Sequence, residues 1–270
     1  MDHQRYCDEV ANQAGLLRQV VAGADLSVRV PTTPDWALAD LLRHVGGNLR
    51  AIEQAVRTGE AVPEPERQVP GHGGPDGDDP AALDAWLAEA ATACAATLGA
   101  AGPDGEAQLW TIRWPVGAWA RRAAHDIVVH RADAAGAVGA PYRVAPDLAI
   151  DAVDEFLDLL SGLAAAAAAG GPAAEGEGAA AAEGGPGPDG TVHFHATDAA
   201  NGPVGEWLVE LRPAGFAWRH GHERATVAVR APLADLLRVV TRRLPPDAEG
   251  VEVLGDRAVL DAWLERMRLQ

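Results

Sequence analysis

Apolar residues recur every three or four positions through most of the first 160 residues, and at every second position in several stretches beyond residue 190. The first period belongs to amphipathic helices and the second to strands with one buried face. Val10, Ala14, Leu17, Val20 and Val21 form a helical stripe over residues 3–23. Leu38, Leu41, Leu42, Val45, Leu49, Ile52 and Val56 form another, which predicts a helix starting between Thr33 and Ala37 and fading at Gly59. Thr33 and Pro34 suit N-cap and N1, where the missing proline N–H has no partner to lose. Gly46 and Gly47 weaken this helix by about 1 kcal/mol each, yet they admit close approach of a backbone or a ligand. Residues 60–78, rich in Pro, Gly and Asp, read as a loop. Asp79 and Pro80 open a third helix that runs to about Leu98, and residues 99–105 break the pattern. Residues 110–114 read as an extended connector, Pro115 opens a fourth helix to about Ala135, and a fifth follows Pro146 through Ile150, Val153, Phe156, Leu157 and Leu160. Long helices with short connections predict a bundle.

Residues 163–190 are almost wholly Ala, Gly, Glu and Pro, the composition of a flexible linker. Alternation then marks residues 192–196, 207–211 and 225–229, with a short strand over 216–218. Helices follow over 232–244 and from 256 to about 269, with 251–254 between them. The expected fold class is α+β: a helical bundle over 1–163, a linker over 164–190 and a small α+β domain over 191–270.

Composition narrows the function classes. Hydrophobic residues make up 48%, enough for a true core, and the formal net charge is −17. Such an acidic surface argues against non-specific binding to nucleic acid or anionic membrane. Every one of the 22 basic residues is arginine, and Ala, Gly and Pro abound, the bias of a GC-rich genome. The sequence has no apolar run of the roughly 20 residues that span a bilayer, and the polar start, Met1 to Arg5, lacks the apolar core of a signal peptide. A cytoplasmic location is expected. Cys7 and Cys94 stand alone, which predicts neither a disulfide framework nor a cysteine metal site.

The chemistry concentrates in the fourth helix. Asp126 and His130 are spaced i, i+4, which sets them about 40° apart around a helix and one turn apart along it. A carboxylate and an imidazole so placed can hold one divalent metal, and His44, from another helix, can supply a third ligand. Three protein ligands leave a position open for water or substrate, the mark of a catalytic rather than a structural site. His125 lies about 100° around the helix from Asp126, which makes it a proton carrier or supporting residue rather than a ligand. Trp110, Trp114 and Trp119 can wall a pocket or simply pack. His193 and His195 share one strand face and raise the idea of a second metal, but no third ligand stands out; packed or solvated histidines are the expectation there, and 220–222 reads as a turn.

With these motifs placed, the chain resembles the mycothiol-dependent maleylpyruvate isomerase family of the DinB-like metalloenzyme superfamily. Trp36, Asp40, Leu41 and His44 match the family's Trp followed by Asp-Leu-x-x-His, and His125, Asp126, His130, Arg131 and Asp133 match its His-Glu-x-x-x-His-Arg-x-Asp. Residues 193–198, 205–211 and 253–257 carry the likeness of the second domain. Asp126 departs from the family's usual Glu and is one methylene shorter, so a metal would sit nearer the helix. The resemblance implies a DinB-like bundle with a sterol-carrier-like α+β domain behind it. It implies His44, Asp126 and His130 as ligands of a divalent metal, most suitably zinc, and mycothiol as thiol cofactor or co-substrate. The thiolate would add to a small-molecule electrophile, as an S-transferase or a cis–trans isomerase of the maleylpyruvate type. His125 is the candidate catalytic group, and Arg121 or Arg122 the candidate for binding a substrate carboxylate. A non-thiol metal-dependent hydrolase on the same bundle and a non-catalytic metal-binding homologue are the competing readings.

Overall fold

The computed structural model describes residues 1–168, 189–199, 204–212 and 215–266, and the chain divides into two compact units, Met1–Tyr142 and Arg143–Gln270. The first unit opens with α1 (His3–Val21), whose Arg5 N–H is capped by the Asp2 carboxylate. A hairpin of β1 (Arg29–Val30) and β2 (Thr33–Ala37) runs straight into α2 (Leu38–Thr58). The helix therefore starts later than the Thr33-Pro34 cap predicts. Proline pushes the residue before it towards extended backbone, and β2 takes that conformation while pairing antiparallel with β1. Asp40 Oδ2 accepts from Ala37 N at 2.9 Å and so caps the helix in place of a side chain at Ala37. At the other end Gly59, with φ of 67°, supplies a left-handed cap.

The loop expected over 60–78 holds one turn of helix, α3 (Pro65–Gln68). Asp79 and Pro80 open α4 (Pro80–Ala101) as N-cap and first helical residue. The expected connector is an antiparallel hairpin, β3 (Glu106–Leu109) with β4 (Ile112–Pro115), leading into α5 (Val116–Val138). The tryptophans here pack against the bundle core. Trp119 is buried, its Nε1 donates to Ala107 O at 3.0 Å, and its ring lies 4.8 Å from that of Trp114. Four helices make the bundle: α5 packs on α1 and α2, and α4 packs on the same two. Gly46 and Gly47 set the approach to α2. A Cβ at Gly46 would overlap the Trp86 ring of α4, and one at Gly47 would stand 2.9 Å from His72 O.

The second unit contains α6 (Pro146–Ala168), β5 (Gly190–Ala196), β6 (Glu206–Arg212), β7 (Gly215–His220), β8 (Val227–Ala231), α7 (Leu233–Val240), β9 (Glu252–Gly255) and α8 (Arg257–Arg266). Its sheet has the order β7-β6-β5-β8-β9, with β5 and β8 parallel and the other pairs antiparallel. Val192, Phe194, Trp207, Val209, Val227 and Val229 are buried on one face, and Phe194 meets Trp263 of α8 at 5.2 Å between ring centroids. The sequence reading places the fifth helix in a bundle ending at 163; the structure groups it with the sheet instead. Its apolar stripe packs on α7 and β7, and Asp154 accepts from Trp207 Nε1 at 2.6 Å. Of the expected linker, 164–168 continue α6, and 169–188 lie outside the described residues. No helix among the described residues is long and apolar enough to cross a membrane.

These contacts predict opposite effects for two glycine substitutions. Gly46→Ala forces the Trp86 ring aside and should lower stability by about 1–3 kcal/mol. Gly15→Ala, in α1 with nothing within 4 Å of its new Cβ, should raise it by about 0.5–1 kcal/mol through backbone entropy. Urea-unfolding midpoints moving in the same direction would contradict the packing described.

Candidate metal centre

Helices α2 and α5 are neighbours in the bundle, and each turns one polar stripe towards the other. On α2, Leu38, Leu41, Leu42 and Val45 are buried, and His44 sits half-buried beside them. On α5, burial extends almost around the helix, through Trp119, Ala120, Ala123, Ala124, Ile127 and Val128. Polar groups carried there need partners, because an unpaired buried charge is costly.

His44 Nε2 lies 3.0 Å from His130 Nε2, and His130 Nε2 lies 3.7 Å from Asp126 Oδ1. One potential ligand atom from each of the three residues falls within 4.8 Å of the others. The His130 ring is oriented from behind: its Nδ1 stands 2.9 Å from Asp133 Oδ2, and Asp133 is fully buried. A carboxylate only accepts, so Nδ1 carries a proton, and Nε2 is directed at His44 and Asp126. Thr32 Oγ1 donates to the other Asp133 oxygen at 2.5 Å. Trp36 covers the pair, its ring 4.8 Å from His44 and 6.5 Å from His130.

Asp126 is held as a carboxylate. Burial works against its charge, but His130, Arg122, His44 and the Asn48 amide together outweigh that and lower its pKa to about 2. Arg122 Nη2 donates to Asp126 Oδ1 at 3.1 Å, and Asn48 Nδ2 lies 3.3 Å from His44 Nε2.

Donor set and spacing fit a divalent ion. A four-coordinate ion with bonds of about 2.0–2.1 Å separates its ligand atoms by about 3.3 Å, and the observed 3.0 and 3.7 Å bracket that value. A cation also reconciles two imidazole nitrogens and a carboxylate oxygen that converge on one another.

The remaining sequence candidates are not members of that three-residue cluster. His125 is buried on α5 with its ring edge-on to Tyr6 of α1, 5.9 Å between centroids, and is not one of the three clustered residues. Arg122 is engaged by Asp126, and Arg121 is half-buried on the same helix. Arg131 is buried with its guanidinium over the Tyr142 ring at 4.9 Å. Thr32 and Asn48 went unnoticed in the sequence. Asn48 follows His44 by one helical turn, a spacing that could have pointed to it; Thr32 carries no comparable signal.

Two family models match the chain: the mycothiol maleylpyruvate isomerase N-terminal domain over residues 7–135, and the MDMPI C-terminal domain over residues 147–262. A crystal structure of the mycothiol-dependent maleylpyruvate isomerase is similar over 94% of this chain and 93% of its own, with a TM-score of 0.60 and 14% identity. A histidine-to-alanine mutant of that enzyme is similar over the same shares, with a TM-score of 0.57 and 14% identity. No curated protein matches the chain.

The chain's own thiols are poorly suited to nucleophilic attack. Cys7 and Cys94 are both buried, and burial raises the pKa of each. A thiolate is the reactive form, so both cysteines should resist a thiol-reactive dye in the native protein and label fully on unfolding. Rapid native labelling of Cys94 would reopen the case for a nucleophile on the protein.

Proposed function

The chain belongs to the mycothiol-dependent maleylpyruvate isomerase family, and on that premise we propose that it is a metal-dependent enzyme that uses mycothiol to attack an electrophilic small molecule. The observation that carries the proposal is the convergence of His44 Nε2, His130 Nε2 and Asp126 Oδ1, with His130 steadied by buried Asp133. A divalent ion held there, zinc by ligand type, would keep a coordinating thiol ionised at neutral pH, where a free thiol of pKa about 8.5 is mostly protonated.

Each residue has a part in holding that arrangement. Asp133 accepts the Nδ1 proton of His130, which fixes the tautomer and stops the ring from turning. Asp126, ionised at neutral pH, and two neutral imidazoles leave a divalent ion with net positive charge, which favours an anionic partner such as a thiolate. Arg122 steadies the Asp126 carboxylate, and Trp36 lays an aromatic face over both imidazoles. Arg121 and Arg122, on the same helix as Asp126, are the candidates for a substrate carboxylate. His125, turned to Tyr6, takes a packing role between α5 and α1. In the reaction itself, the thiolate adds to an electron-poor carbon of a double bond and the electron pair moves into the conjugated carbonyl. Rotation about the new single bond and loss of the same thiolate give the other geometric isomer. An electrophile that cannot expel the thiolate takes up a proton and leaves as the S-conjugate.

His44→Ala and His130→Ala should each lose one equivalent of bound metal and thiol-dependent turnover while the helical circular dichroism stays unchanged. Asp126→Glu should retain metal. Asp133→Asn should weaken zinc binding about 10–100-fold, read by competition with a chromogenic chelator. Full turnover in thiol-free buffer would replace the thiol reading with a hydrolytic one.

A further inference from the structure

The second unit holds a cluster that the bundle chemistry does not use. His193 and His195 occupy alternate positions of β5 and so share a face, opposite the buried face that meets α8. In the antiparallel register His195 faces Glu206 of β6 directly, and His193 is its diagonal neighbour. The last β6–β7 pair is Trp207 with His220, so the chain leaves β7 beside Glu206, and Gly221 N donates to Glu206 O at 3.2 Å. His222, two residues past the strand end, folds back over the same carboxylate. The third and fourth members missing from the sequence reading are thus supplied by the neighbouring strand and by the turn.

We propose that His193, His195, Glu206 and His222 form a second divalent-metal site, which takes an ion of the zinc class and ties the segment after β7 to the sheet. His193 Nε2, His195 Nδ1 and His222 Nδ1 stand 2.9, 2.9 and 2.5 Å from the same oxygen, Glu206 Oε2. One carboxylate oxygen offers about two lone pairs, so three N–H donors are more than it can accept. Three imidazole nitrogens and a carboxylate oxygen crowded together are instead the donor set that a tetrahedral ion takes, with the ligands drawing slightly apart around it. The three rings stand edge-on to one another, with centroids 5.3–5.9 Å apart, and all four ligand atoms lie within 4.8 Å of each other. Imidazole with a single carboxylate suits zinc, and also nickel, iron and copper, better than magnesium or calcium.

Four protein ligands complete a tetrahedron and leave no open position, so the site is structural rather than catalytic. Three ligands come from paired strands. The fourth comes from residues 221–226, which carry no regular structure, and its side chain is 72% exposed. The ion therefore acts as a clasp on the β7–β8 connection.

The test is cobalt(II) titration of the full chain, followed by the visible bands of tetrahedral cobalt. His195→Ala/His222→Ala removes two partly exposed ligands and should reduce the cobalt bound by one equivalent, with circular dichroism unchanged. His44→Ala/His130→Ala reports separately on the bundle site, and it should keep both a tetrahedral cobalt spectrum and a zinc-dependent rise in Tm. Adding His195→Ala/His222→Ala to that background should abolish both signals. If His195→Ala/His222→Ala binds as much cobalt as the wild type, or the His44→Ala/His130→Ala protein folds but shows neither signal, the second site is overturned whatever becomes of the first.

Discussion

Helix α5 carries Asp126, His130, Arg131 and Asp133 into a bundle interior, and a charge can stay there only if it meets a partner. Much of the first unit follows from this constraint. Asp133 is satisfied by His130 on its own helix and by Thr32 from the turn between β1 and β2. Arg131 lies against Tyr142, and Asp126 has Arg122 one turn before it. Once these pairs are made, His130 has one free direction for its second nitrogen, and His44 stands in that direction. The site is what remains when the other polar groups of α5 have been accommodated.

The two clusters are assembled by different geometry. In the bundle, a helical i, i+4 step places two members and a second helix brings the third. In the sheet, the two-residue strand period aligns His193 and His195, and cross-strand pairing delivers Glu206. Both rest on rigid elements that are held by apolar packing on the other side, through Ile127 and Val128 in α5 and Phe194 and Trp207 in the sheet.

Local signals were legible in the sequence wherever the cause is local. The Asp79-Pro80 start, the Gly59 stop and the change from helical to strand period each reside in a few adjacent residues. The cluster of His44, Asp126 and His130 was also legible, because a helix fixes the angle between residues four apart and the family motif points to the third. Three things were not. The stripe of α6 has the same period whichever core it faces, so nothing in it tells a bundle from a sheet. The turn into β2 depends on β1 as partner, and with it came Thr32 and the position of Trp36 beside the imidazoles, which secure the site from outside its helices. Glu206 and His222 join His193 and His195 only through strand register, which a single sequence does not display.

The sequence separations within the clusters bear on how the chain finds its fold. His44 and His130 are 86 residues apart, whereas Glu206 is 13 from His193 and 16 from His222. Closing the longer loop costs about 1.5 kcal/mol more chain entropy than closing the shorter ones. The polar cluster of the sheet can thus gather from a hairpin-sized neighbourhood, on the timescale of local collapse. That of the bundle has to wait until α2 and α5, with α4 between them in sequence, have come together; it is a product of folding and cannot act as its nucleus.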